Sequence, residues 1–108
     1  MSMGLDVQIR LTKPIVCPDC GKIVYNAAID EYPYNEVLHT GGHCLRAYLN
    51  EIGYGDEQYD KWVQLTTEQA LDFAKLCIKE ACYNANEISA MVMCAMAKEY
   101  DVELEADW

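Results

Sequence analysis

Near the start of the chain apolar and polar residues take turns: Val7, Ile9 and Leu11 alternate with Gln8, Arg10 and Thr12. Successive side chains of an extended chain point to opposite faces, so this segment predicts a half-buried strand over about residues 5–12. After Lys13-Pro14, the pair Ile15-Val16 leads into Cys17-Pro18-Asp19-Cys20-Gly21, and Lys22-Ile23-Val24-Tyr25 leads out. Two short β segments, 15–17 and 22–25, then make a hairpin with the cysteines at its tip. Residues 26–42 contain Pro33 and the pair Gly41-Gly42 and sustain no period, which reads as a connecting loop.

From His43 the rhythm changes. Leu45, Tyr48, Leu49 and Ile52 fall at helical spacing and Gly53 stands where a helix would end, which predicts a helix over about 43–52. Thr66 and Gln69 form a Thr-x-x-Gln capping box, the signature of a helix start. The helix that follows, to about residue 83, carries a stripe of Ala70, Phe73, Ala74, Cys77, Ile78, Ala81 and Cys82. Asn84-Ala85-Asn86 interrupts it, and a further helix over about 87–99 is apolar on most sides from Met91 to Ala97. A chain this short has too little interior to surround such a helix, so self-association as a homodimer is expected. Val102, Leu104, Ala106 and Trp108 alternate with acidic residues and predict a last strand over about 101–107. The elements add up to an α+β fold over residues 1–108: a small antiparallel sheet with a zinc-knuckle hairpin, packed against three helices.

Composition adds the compartment and the excluded partners. The chain has 108 residues, 52% of them hydrophobic, enough for one core. Eighteen carboxylates against eight Lys and Arg leave a net charge of −10, and the basic residues are scattered. No cationic stripe exists on which a phosphate backbone could release its counterions, so direct nucleic-acid binding is not expected. No long apolar run and no signal-peptide pattern appear, so neither a membrane span nor secretion is expected. Six cysteines in a chain held in the reducing cytoplasm read as metal ligands and buried thiols rather than as disulfides.

The chemistry concentrates in Cys17-Pro18-Asp19-Cys20-Gly21. Two thiolates separated by two residues chelate one ion because the intervening turn curls back: Pro18 fixes one torsion and Gly21 permits the positive φ that closes it. A structural zinc ion wants four protein ligands in a tetrahedron. Downstream stand His39, His43 and Cys44, with Gly41-Gly42 allowing a tight bend between the imidazoles. The expected set is Cys17, Cys20, His43 and His39, with Cys44 as the substitute for either histidine, holding Zn2+. Cys44 opens the predicted helix, whose dipole favours a thiolate. A closed site of this kind couples metal binding to folding. Cys77, Cys82 and Cys94 fall on apolar helix faces and read as small hydrophobes.

The knuckle, over residues 15–25, resembles those of zinc ribbons and treble clefs. A wider resemblance rests on Met3-Gly4-Leu5-Asp6, the knuckle, and the His43-led helix ending in Asn50-Glu51-Ile52-Gly53. These are similar to features of a set of small phage and mobile-element proteins, a likeness that implies an origin and the position of His43 but no task. Where that set has Thr-His-Asn before its helix, this chain has Gly42-His43-Cys44.

Three functions are compatible with these residues. The first is a non-catalytic interaction protein in which zinc ties the N-terminal hairpin to the first helix and an acidic surface with Tyr25, Tyr32, Tyr34, Tyr54, Tyr59 and Trp62 meets a protein partner. The second is a zinc-dependent hydrolase or nuclease with Cys17, Cys20 and His43 as ligands and Glu36 or Asp19 as base. The third is an acidic mimic of nucleic acid that inhibits a host defence complex. The first is the expectation, because two thiolates with a histidine pair more commonly make a closed site.

Overall fold

The computed structural model describes residues 6–32, 34–42, 44–58 and 61–107. In chain order the elements are β1 (Asp6–Val16), β2 (Ile23–Ala28), β3 (Leu38–Gly41), α1 (Cys44–Glu51), a 3-10 turn (Asp56–Gln58), β4 (Val63–Leu65), α2 (Thr67–Lys79), α3 (Ala85–Lys98) and β5 (Asp101–Asp107). The fold is α+β, a five-stranded antiparallel sheet with three helices.

β1 organises the sheet. Along one edge it pairs with β5, from Asp6 opposite Asp107 to Thr12 opposite Asp101. Its other edge is shared end to end: β3 covers Asp6–Ile9, and β2 takes over from Thr12 to Val16. β4 adds to the outer side of β5, with Val63 opposite Leu104. Past Thr12, therefore, β1 has β2 on one side and, among the described residues, no strand on the other, and residues 13–27 continue as a two-stranded ribbon beyond the sheet. The extents of 48 × 29 × 25 Å reflect this projection.

The alternation in the sequence sets which face is covered. Val7, Ile9 and Leu11 of β1 and Val102, Leu104 and Ala106 of β5 turn into the core. There they join Leu45 and Leu49 of α1, Phe73 and Cys77 of α2, and Ile88 and Val92 of α3. The intervening positions are covered differently. Arg10 and Glu103, directly opposite each other, are joined by Nε and Nη2 contacts of 2.8 Å to a single carboxylate oxygen. The guanidinium lies 4.0 Å from the centroid of the Trp62 ring, a cation–π arrangement that caps the pair.

The predicted boundaries differ from the observed ones in four places. The strands expected over 5–12 and 15–17 are one strand, because Pro14 falls past the end of β5, where a missing N–H disturbs no central ladder. The stretch read as loop over 26–42 contains the end of β2 and all of β3, and the connection before Thr66 contains β4. α2 ends at Lys79: Ala81 turns left-handed at φ 52° and lies exposed, and Ile78, assigned to the core stripe, also faces outward. α3 buries Ile88, Met91, Val92 and Ala95 within its own chain while Met93 and Met96 are exposed, so it is covered on one side only.

Candidate metal centre

The two knuckle cysteines sit where the pattern puts them, at the tip of the β1–β2 hairpin. The Cys17 amide donates to the Lys22 carbonyl at 2.9 Å, and the Gly21 amide donates back to the Cys17 carbonyl at 2.9 Å. Gly21 adopts φ 74°, a conformation that a residue with a Cβ enters only under strain. The register shifts between Ile15 and Val16 make a bulge beside the turn, a device that re-aims side chains. The effect is to fold backbone donors around one sulfur. The Cys20 amide, then the Asp19 amide, then the Cys20 thiol hydrogen-bond the Cys17 sulfur and hold its pKa below the ordinary thiol value. Cys20 itself is exposed and Cys17 half-buried. The turn thus surrounds the Cys17 sulfur with donors that favour a thiolate.

Two of the other expected ligands, His39 and Cys44, lie elsewhere. His39 stands on β3 opposite Gln8, and extended chain rises about 3.3 Å per residue, so the run from Gln8 to Cys17 spans roughly 30 Å. The imidazole is exposed, with Nδ1 3.7 Å from an Asp6 carboxylate oxygen, and its carbonyl accepts from the Asn84 side chain at 3.0 Å. Cys44 begins α1 at that same far end, and Glu36 lies in the segment leading into β3. His43 falls outside the described residues. Among the described residues no group of three or more His, Cys, Asp or Glu side chains is placed to hold a metal ion. The hairpin tip and the start of α1 are thus not brought together.

What the fold does bring together is a run of three thiols. The Cys44 sulfur lies 3.8 Å from the Cys82 sulfur, across 38 residues of sequence, and the Cys77 thiol donates to Cys82. The Cys77–Cys82 contact follows from the end of α2. There the Cys82 amide reaches the Cys77 carbonyl at 2.9 Å and the Ala81 amide the Ile78 carbonyl at 3.2 Å, a Schellman turn that brings its flanking side chains into contact. Burial pushes the Cys77 thiol up to about 12 and also raises Cys82, which the adjoining Cys44 thiol raises further. Cys77 is fully buried and packs as a small hydrophobe, as its helix position predicts; Cys82 follows the helix instead of lying on it. Nothing in the spacing of Cys44 announces the contact, which depends on how α1 packs at the α2–α3 corner.

The aromatic residues divide. Tyr54 is buried in the core and Tyr34 packs edge-on to Tyr100, whereas Tyr25 and Tyr32 are exposed; Tyr59 lies outside the described residues. Comparison of the chain with models of protein families, with curated proteins and with solved structures found no match. None of the helices among the described residues is long and apolar enough to cross a membrane.

Proposed function

We propose that this chain is a non-catalytic interaction protein that holds Zn2+ at the Cys17–Cys20 knuckle and meets a protein partner through the hairpin carrying it. One observation supports this most: the chelating turn crowns a ribbon whose apolar side chains have no core behind them. Val16, Ile23, Val24 and Tyr25 are 48, 63, 64 and 58% exposed, whereas the apolar positions of β1 and β5 further along the sheet, from Val7 to Leu11 and from Val102 to Ala106, are buried. A two-stranded ribbon is marginal by itself in water, so an ion and a partner both act where it is weakest. The hairpin also departs from the acidic balance of the whole chain, with Lys13 and Lys22 against the single carboxylate Asp19 over residues 13–28. A surface of this character suits a protein partner better than a charged small substrate.

Elemental analysis of the purified native protein tests the reading. Zinc is expected to co-purify, to be lost from Cys20→Ser, and to be retained by Cys94→Ala, whose thiol lies on α3 far from the knuckle. Protein that neither carries zinc nor takes it up from solution would remove the basis of the proposal.

A further inference from the structure

We propose that the partner of the hairpin is a second copy of this chain, with one Zn2+ shared between the Cys17–Cys20 pairs of two copies; this rests on the zinc reading above. The first ground is the donor set. Structural zinc takes four protein ligands, and thiolates serve for all four. One tip supplies two sulfurs, and no other described His, Cys, Asp or Glu joins them in a metal-holding group. A two-fold axis through the ion completes the tetrahedron with the same two residues again, the arrangement of the commonest closed oligomer.

The second ground is charge. At −10 per chain, two copies repel over most approaches. At the hairpin that repulsion is relieved, because Lys13 and Lys22 outnumber Asp19 there. Four thiolates around a dication leave two negative charges, and Lys22, whose carbonyl is already bonded to the Cys17 amide, comes from each copy to the edge of that cluster.

The third ground is the apolar surround. Val16 and Ile23 flank the turn as a cross-strand pair, with Val24 and Tyr25 next along β2. Tip-to-tip association covers these side chains against their counterparts and excludes water from the sulfurs. Such an interface is small, so the ion supplies most of the affinity and its removal separates the copies.

The test combines mass and metal content on the full chain. Sedimentation of the zinc-loaded protein at micromolar concentration should give about twice the chain mass of 12.3 kDa, with about half a zinc per chain. A chelator should return it to monomer, and zinc alone should restore the dimer. Co2+ in place of zinc should give the intense absorption of a tetrahedral all-thiolate site. Val24→Glu, a change at an exposed position, should weaken dimerisation about tenfold or more while leaving the far-ultraviolet circular dichroism unchanged. A monomer with one zinc per chain would overturn the sharing and leave the zinc reading standing, as would a dimer that persists through chelation. Absence of zinc from both native and zinc-incubated protein would overturn both. Capture of the hairpin by a different protein that contributes its own two ligands would likewise replace the second copy.

Discussion

The Tyr54 hydroxyl accepts the Ala106 amide at 2.9 Å and donates to the Lys61 carbonyl at 3.0 Å. Continuing the β4–β5 register would set Lys61 opposite Ala106, so a phenol completes the ladder where β4 has already ended. Tyr54→Phe leaves a buried amide without this partner and is expected to cost about 1–3 kcal/mol, read from urea unfolding. Two other residues set a pH limit. Burial raises the Cys77 thiol from an ordinary 9.0 to about 12, and it also raises Tyr48, whose hydroxyl donates to the Gln69 carbonyl at 2.6 Å. Below about pH 9 folded and unfolded chains hold these protons alike. Above it the unfolded chain releases them first, so it binds fewer protons than the native state and stability falls as pH rises. Urea midpoints should therefore decline between pH 9 and pH 11, and the Cys77→Ala variant should lose part of that slope.

At the scale of elements, helix ends carry the clearest strain. α2 and α3 both finish with a left-handed residue that is not glycine, Ala81 at φ 52° and Glu99 at φ 60°. Each is followed by an amide that reaches back to close the turn, Cys82 to Cys77 and Tyr100 to Ala95. A Cβ in that region costs about 1–2 kcal/mol. Ala81→Gly and Glu99→Gly recover most of it and lose some to the freer unfolded chain. Each should raise stability by about 0.5–1 kcal/mol, seen as a higher thermal midpoint. The same ends show what was legible beforehand. The start of α2 was readable because Thr66 and Gln69 bond each other's amides locally, and both bonds are present. Its end was not, because alanine in a glycine conformation leaves no mark in the pattern. β3 and β4 are too short for two-fold alternation to register. The knuckle was readable because its bonds close within a few residues. The separation of His39 and Cys44 from the tip was not, since it depends on Pro14: a turn there would have folded the tip back, and a continuous β1 carries it away.

For the molecule as a whole, the knuckle stands apart from the core. The core lies between the sheet and three helices, and the ribbon contributes none of its fully buried side chains beyond Thr12. The metal-free chain should therefore keep its far-ultraviolet circular dichroism and a cooperative unfolding transition. Without metal, Cys20→Ser should match it to within about 0.5 kcal/mol, as exposed substitutions usually do. Collapse of the metal-free chain to an unfolded spectrum would mean that the ion organises the core after all.

β1 passes without a break from the interior of the sheet to the tip of the ribbon, so one strand spans two regimes of hydrogen exchange. The amides of Val7 and Ile9 lie among strands on both sides, whereas those of Ile15 and Val16 have β2 alone. The former should exchange only when the molecule opens globally, and the latter whenever the ribbon frays. Ligation at the tip should slow the second set and leave the first nearly unchanged, making deuterium uptake along this single strand a built-in gauge of whether the knuckle is engaged.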